Sequence, residues 1–204
     1  MTTMKKLLCL ALAVLTLCAL TACGEKEIPA YEPAVKESAV KTTGEEVWNI
    51  AYVYDADGLL IKEINTAADG TGVNNYYIYN DDGKCTSEVR NNVDGTKDKY
   101  RHTWKDGLMT KSVFTEPSGA KHNYVYTHNE NGTIAGYTLT FATKEVQEAV
   151  YTYNALGAVE KIEKTGFEPS VTVFEYNQHG DVVKETVTAD GTETVTTYEY
   201  TYLQ

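Results

Sequence analysis

Apolar and polar residues alternate along the chain from Trp48 onward, and glycine turns interrupt the alternation at regular intervals. A Tyr-x-Tyr pair runs into a short polar turn that ends in glycine, as in Tyr52–Gly58. The turn glycines lie 25, 24, 25, 25 and 23 residues apart, at Gly58, Gly83, Gly107, Gly132, Gly157 and Gly180. Alternation with period two indicates strands with one covered face, and the spacing predicts a repeat of about 24 residues.

Each repeat contains two predicted strands. An apolar residue follows two positions after each turn glycine, and most copies carry a second glycine turn midway, such as Asp69-Gly70. The fourth copy has Phe141–Val150 in that place, without a glycine. Glycine in the left-handed region closes a tight hairpin, so we expect an all-β antiparallel meander of about twelve or thirteen strands.

The repeated tyrosines provide the candidate ligand-binding residues. Residues at i and i+2 of a strand share a face, so successive copies line their aromatic rings into a ladder. We expect Trp104 to be the most exposed of them, because the shorter turn of its copy interrupts the ladder. Aromatic faces stack well on sugar rings, but the same rings are also suited to serve as the domain's own stabilising layer. The candidates are Trp104, Tyr54, Tyr79, Tyr126, Tyr153 and Tyr176.

The N-terminus has the features of an export signal. Lys5 and Lys6 precede an apolar run over Leu7–Leu20 that is too short to span a bilayer. The following Leu20-Thr-Ala-Cys23-Gly resembles the lipobox of bacterial lipoproteins, which implies a signal peptide over 1–22 and a lipid on Cys23. The alternative is an ordinary signal peptide in which Cys23 has no role.

The segment 23–46 mixes charges with prolines and shows no sustained period. We interpret it as the lipidated N-terminus and a flexible tether, with a frayed helix over Ala34–Lys41 as the alternative. The repeat domain then covers 47–204. These features predict an extracytoplasmic protein that the lipid on Cys23 anchors to the bacterial cell membrane.

Charge excludes one class of partner. The chain has 18 Lys and Arg against 29 Asp and Glu, a net charge of −11, whereas nucleic-acid binding needs a basic footprint. After cleavage and lipidation Cys85 would be the remaining free cysteine. Cys85 occupies the slot that Leu60 and Val159 fill in other copies, so we expect a buried, apolar-like side chain.

No residue pattern predicts catalysis. The histidines 102, 122, 128 and 179 belong to no recognisable Ser/His/Asp arrangement, and His122 and His128 lack a third metal ligand. The acidic turns lack the ligand spacing of a calcium loop. We therefore predict no enzyme activity, no metal and no cofactor.

The motif Tyr-x-Tyr-Asp/Asn-x-x-Gly-x-Leu/Val resembles the YD repeat of RHS-type bacterial surface proteins, most closely over Tyr151–Tyr200. This resemblance implies an antiparallel strip that coils into a shell in long members, and an often-assumed carbohydrate-binding role. With six copies we expect an open, twisted or curved elongated sheet. The segment Tyr76–Lys84 is also similar to choline-binding or cell-wall-binding repeats, although the paired tryptophans of that family are missing.

Two functions therefore stand as expectations. The first is a non-catalytic surface lipoprotein that binds envelope or host carbohydrate through its aromatic face. The second is a structural or protein-interaction scaffold without a glycan ligand, which would use strand edges or its acidic surface. Stacking on sugars is not screened by salt, whereas a contact between charged surfaces is, so salt dependence separates them.

Overall fold

The computed structural model describes residues 34–203, and these residues form fourteen β-strands. The turns alternate between the two ends of the strands, as the repeat predicts. The strands are β1 (Lys36–Thr43), β2 (Glu46–Tyr54), β3 (Leu60–Ala67), β4 (Gly72–Tyr79), β5 (Cys85–Asn91), β6 (Lys97–Lys105), β7 (Leu108–Thr115), β8 (Lys121–His128), β9 (Ile134–Thr140), β10 (Val146–Tyr153), β11 (Val159–Gly166), β12 (Ser170–Tyr176), β13 (Val182–Ala189) and β14 (Thr192–Tyr202).

The sheet closes on itself. Each strand pairs antiparallel with the next along the chain, and β1 pairs with β14 to complete the barrel. The all-β antiparallel meander is confirmed, but the predicted open, twisted or curved sheet is wrong. Closure removes both unpaired edges, and an exposed edge strand is a liability for aggregation.

The strand that closes the barrel lies where the sequence indicated a tether. β1 falls within 23–46 and places Val40 opposite Asn49 of β2 on one side and Glu199 of β14 on the other. The folded domain therefore begins before residue 47, and β1 accounts for the strand beyond the predicted twelve or thirteen. The predicted signal peptide and Cys23 lie outside the described residues.

Charged and aromatic groups reinforce the closing seam. Lys36 Nζ lies 3.0 Å from Asp181 Oδ1, and the same ammonium sits 5.2 Å and 5.6 Å from the ring centroids of Tyr52 and Tyr200. The Tyr202 hydroxyl donates to Asp181 Oδ2 over 2.9 Å. These contacts join β1, β2 and β14 to Asp181, which directly precedes β13, at the seam that closes the barrel.

The predicted hairpin turns form for the expected reason. Gly58 has φ +79°, and Asp55 Oδ1 accepts from the backbone N–H groups of Asp57 and Leu59. In the copy without a turn glycine, Lys144 adopts φ 79° and closes the hairpin instead. The turn geometry is thus kept even where the sequence signal is missing.

Buried apolar side chains form one main cluster inside the barrel. This main cluster spans β6 to β13, and its aromatic rings pack against one another. The ring centroids of Tyr100 and Phe114, for example, lie 4.7 Å apart. The cluster comprises Tyr100, Phe114, Tyr124, Tyr137, Leu139, Phe141, Ala149, Tyr151, Val159, Ile162, Phe174 and Val182. Among residues 34–203, no helix is long and apolar enough to cross a membrane.

Candidate functional site

The predicted aromatic ladder forms a ring inside one end of the barrel, which we call the aromatic girdle. All of its members are half-buried, and they lie at or near the C-terminal ends of the even-numbered strands, which run in the same direction. The girdle comprises Tyr54, Tyr79, Trp104, Tyr126, Tyr153, Tyr176 and Tyr200.

Polar atoms of the girdle bond to the barrel itself. The Tyr79 hydroxyl donates to the carbonyl of Leu60 (2.9 Å), and Trp104 Nε1 donates to the carbonyl of Cys85 (2.7 Å). Tyr153, Tyr176 and Tyr200 repeat this bond to Ile134, Val159 and Val182. The acceptors are the apolar positions that follow each turn glycine in the sequence. The girdle is therefore a stabilising layer first, and Trp104 faces inward rather than lying on the outer surface.

Burial raises the pKa values of five girdle phenols, those of Tyr54, Tyr79, Tyr126, Tyr153 and Tyr200. Tyr79 has a pKa of about 12, with burial as the main cause and the neighbouring Cys85 and Glu88 adding to it. In Tyr126 burial likewise raises the pKa, and its hydroxyl donates to Ser112 Oγ over 3.2 Å instead of to a backbone carbonyl. These five phenols therefore stay neutral at every physiological pH.

A second set of inward side chains is polar and half-buried. Cross-strand register places Tyr52 opposite Glu63, Glu63 opposite Asn75, Asn75 opposite Arg90, and Arg90 opposite Asp98. Directly opposed residues in antiparallel strands share a face, so these five form one continuous line across β2 to β6. We call this line the inner polar row.

Two atoms in the inner polar row lack a partner within the described part of the chain. Asn75 Nδ2 donates to Glu63 Oε2 over 2.9 Å, while its Oδ1 is enclosed and accepts no hydrogen bond. The neighbouring Arg90 Nε is also enclosed and donates none. Enclosed polar atoms are normally bonded, so the free acceptor Asn75 Oδ1 and the free donor Arg90 Nε, on directly opposed residues, are the two unsatisfied polar atoms of the row.

The inner polar row borders aromatic surface. Tyr77 is buried directly beside it on β4, opposite Glu88. Burial raises the pKa of Tyr77, and the negative charges of Glu63 and Glu88 raise it further. The rings of Tyr52 and Tyr77 therefore lie on the same face of the sheet as Asn75 and Arg90.

A buried hydrogen-bonded cluster lies on the next strands. His102 Nε2 is 2.9 Å from Glu88 Oε1, and His102 Nδ1 is 2.7 Å from Ser112 Oγ. This order of groups is that of a serine hydrolase triad. The Ser112 side chain, however, is fully enclosed at 0% exposure, and Met109 and Tyr126 contact its hydroxyl. A nucleophile without access performs no acyl transfer, so the arrangement acts as a buried polar network.

Cys85 completes this cluster. It is buried as the sequence predicts, and burial together with the nearby Glu88 raises its pKa to about 11. The thiol is therefore protonated at neutral pH. Its Sγ belongs with Glu88 and His102 to a group whose ligand atoms all lie within 4.8 Å of one another.

The far side of the interior holds another buried carboxyl group. Glu185 on β13 is 7% exposed, and burial raises its pKa, although Lys41, Lys164 and a 3.5 Å hydrogen bond from Tyr198 oppose the rise. The folded state therefore holds the Glu185 proton more tightly than the unfolded state does.

Replacing Glu185 by glutamine should stabilise the barrel at pH 7. The raised pKa means that the ionised carboxylate costs folding free energy at neutral pH, and that stability recovers as pH falls through the folded-state pKa. Below the ordinary pKa of 4.5 the carboxyl is protonated in both states, so the advantage of Glu185→Gln should vanish there. Urea unfolding of both proteins from pH 4 to 8 checks this, and a variant that is less stable at pH 7 contradicts it.

The sequence pattern alone did not predict that the inner polar row or the cluster of Glu88, His102 and Ser112 would come together. Glu63, Asn75 and Arg90 occupy strand positions with the same polar alternation as residues on the outer face. The signal that finds them is register, because the glycine turns fix which residues of adjacent strands stand opposite one another. The same reasoning places His102 opposite Ser112.

Comparison with known proteins defines the class of fold. No protein-family model matches the chain, and no curated protein matches it. The chain is similar to a porin-like protein from Bacteroides vulgatus, with a TM-score of 0.52 and 12% identity over 83% of this chain and 99% of that one. This similarity supports the closed antiparallel barrel as the fold.

Two further solved structures are more distant. A porin-like protein from Bacteroides uniformis has a TM-score of 0.43 at 11% identity, covering 85% of this chain and 100% of that one. The Tc holotoxin pore of Photorhabdus luminescens is weakly similar, with a TM-score of 0.34 at 14% identity over 76% of this chain and 10% of that one. Membership of the YD-repeat family stays a prediction.

Proposed function

We propose that the protein is a lipid-anchored, non-catalytic barrel that binds carbohydrate inside the barrel at the inner polar row. The observation that carries this proposal is the enclosed, unpartnered pair Asn75 Oδ1 and Arg90 Nε beside the rings of Tyr52 and Tyr77. The sequence placed the sugar on an aromatic ladder. The polar atoms of the girdle already donate hydrogen bonds to the barrel. The girdle therefore has fewer free polar groups for a ligand, which favours the inner polar row as the binding site.

The exposed cations on the outer surface support the proposal that the barrel lies in water next to the membrane. The side chains of Lys97, Lys99 and Arg101 alternate on the outer face of β6 and are exposed. A cation facing lipid near the bilayer midplane costs about 2–4 kcal/mol. Attachment through a lipid on Cys23 would leave such a surface in solvent, which agrees with the predicted lipobox.

The chemistry of the inner polar row matches sugar hydroxyl groups. Vicinal hydroxyls both donate and accept, so they pair with a carboxylate, an amide and a guanidinium at once. The Glu63 carboxylate and Asn75 Oδ1 are acceptor groups and Arg90 Nε is a donor group, and the three residues lie on adjacent strands in one line. Neighbouring tyrosine rings add apolar surface of the kind that stacks on a pyranose.

The two arginines of the chain provide a matched test. Arg90→Gln should weaken binding to the best ligand of a glycan and cell-wall panel by about 10- to 100-fold, since a hydrogen bond to a charged group contributes about 1.5–3 kcal/mol. Arg101→Gln changes the same charge on the outer face of β6 and should leave affinity within about twofold. Isothermal titration of the full chain gives both affinities.

Three results would overturn the proposal: equal losses in both variants, no loss in Arg90→Gln, or no saturable binding to any glycan. Circular dichroism and thermal unfolding confirm that each variant is folded before binding is compared. A Trp104→Ala variant tests whether the aromatic girdle, rather than the inner polar row, binds the glycan. A loss of binding there with an intact fold would move the site from the row to the girdle.

A second function is favoured by a separate observation. Exposed cations cluster on the outer face of three adjacent strands, in a chain whose net charge is −11. They are Lys97, Lys99 and Arg101 on β6, Lys111 on β7 and Lys121 on β8. Such a face fits an acidic protein partner and a scaffold role. Binding that disappears at 0.5 M salt, about three times the physiological ionic strength, and in Arg101→Gln would favour the scaffold over the glycan.

A further inference from the structure

The cluster on β5 and β6 brings together three different metal-ligating side chains. Cys85 and Glu88 lie on β5 and His102 lies on β6, and all three are buried at 5–8% exposure. One ligand atom from each lies within 4.8 Å of the other two. We propose that Cys85, Glu88 and His102 bind a divalent metal ion of the zinc class.

The donor set selects the metal. Thiolate, imidazole and carboxylate are the three protein ligands that zinc takes, whereas calcium and magnesium take oxygen ligands alone. Ligand atoms around a tetrahedral zinc ion stand about 3.5 Å apart. The Nε2 of His102 and Oε1 of Glu88 are now 2.9 Å apart, so small side-chain rotations open the space between them.

Charge balance also favours the ion. A zinc ion of charge +2 bound by the Cys85 thiolate and the Glu88 carboxylate makes a neutral unit in the buried interior. Without the ion, a carboxylate stands buried with one histidine beside it. Binding releases the Cys85 thiol proton to solvent and breaks the hydrogen bond between His102 Nε2 and Glu88 Oε1. The proton of that hydrogen bond leaves Nε2 as the ring takes the tautomer protonated on Nδ1, and the new bonds are those from sulfur, oxygen and nitrogen to the metal.

The surroundings orient His102 for this task. To bind through Nε2, the ring must carry its proton on Nδ1, which then donates to Ser112 Oγ over 2.7 Å. The Ser112 hydroxyl in turn has Met109 Sδ at 3.7 Å as its acceptor. A bond from the second ring nitrogen to a fixed neighbour is the usual support of a metal-bound histidine.

The ion would join β5 to β6 beside the inner polar row. The Glu88 ligand lies two residues from Arg90 on the same strand, and the carbonyl of Cys85 accepts from Trp104 Nε1 in the girdle. The metal would therefore hold the strands that carry the proposed sugar site, although the proposal stands without that site.

Cobalt and zinc titrations of the full chain test the proposal. The chain is first stripped with chelator and freed of it, and the metal is added both to the folded chain and during refolding, so that slow entry into a closed barrel does not hide the site. We expect one tightly bound zinc per chain, a raised unfolding temperature, and a near-ultraviolet thiolate-to-cobalt absorption band.

The matched variant is Cys85→Val, because Val159 and Val182 fill the same slot in other repeats and the fold should be kept. Cys85→Val should lose the cobalt band, and its zinc affinity should fall by more than about 100-fold. Loss of a residue that only supports a metal ligand costs up to roughly 100-fold, and loss of a ligand itself should cost more. The His102→Gln variant should lose zinc binding as well. Equal zinc binding by the wild type and Cys85→Val would place the ion elsewhere, at the N-terminal cysteines for instance, and overturn the proposal. Absence of stoichiometric binding under both conditions would also overturn it.

Discussion

Replacing His102 by leucine should lower the free energy of unfolding by about 3–5 kcal/mol, measured by urea denaturation with chelator present. The imidazole bonds both Glu88 and Ser112, and none of these three side chains is more than 8% exposed. Without the ring, the Glu88 carboxylate stays buried with its partner gone. A domain of this size has about 5–15 kcal/mol of stability, so the loss takes a large share of it.

A double variant separates the lost charge pair from a simple loss of packing. Glu88→Met combined with His102→Leu removes both polar groups, and replacing a buried pair by apolar groups of similar volume is often neutral. We therefore expect the double variant to recover most of the stability that His102→Leu loses. A double variant as unstable as the single one would show that the polar network contributes little and that shape dominates.

Replacing Gly136 by alanine should destabilise the barrel by about 3 kcal/mol. Gly136 lies in the middle of β9, opposite Val150 of β10, and a Cβ there would overlap the carbonyl oxygen of Ala149. That oxygen belongs to backbone held in the sheet, so the strands must part to make room. The thermal unfolding midpoint should fall by roughly 6–12 °C.

Gly72→Ala is the matched control for Gly136→Ala. Gly72 is also a strand glycine without a positive φ, and its added Cβ meets the carbonyl oxygen of Asn65 at an ordinary 3.4 Å. We expect its unfolding midpoint to stay within about 3 °C of the wild type. An equal fall of the unfolding midpoint in both variants would contradict the close approach of the β9 and β10 backbones at Gly136.

Local features of the fold follow from the sequence because short-range chemistry sets them. The glycines and the preceding Asp or Asn residues, such as Asp55-x-x-Gly58, fix the hairpins. The alternation then fixes which side chains share a face. The Tyr79-to-Leu60 type of hydrogen bond recurs in this way, because each repeat places its tyrosine against the same position of the preceding hairpin.

Closure did not follow from the sequence, because it depends on accumulated twist and on one irregular strand. The residues of β1, Lys36–Thr43, carry none of the repeat's motif, yet they pair with both β2 and β14. Alternation also looks the same whether a polar side chain points outward or into a barrel. Glu63 and Arg90 were therefore indistinguishable in sequence from surface residues until closure put them inside.

The pairing of β1 with β14 is the most direct test of the account, because an inner polar row exists only in a closed barrel. Val40 and Glu199 are Cα partners across this seam, so the Val40→Cys/Glu199→Cys variant should form a disulfide under mild oxidation. Mass spectrometry of a digest should recover the peptide that joins the two positions. A Val40→Cys/Val125→Cys control places its second cysteine on β8, which is far from the seam in strand order, and should form no link. Linkage at 40 and 199 alone is the result that the closed barrel predicts; its absence, or equal linkage in the control, would contradict it.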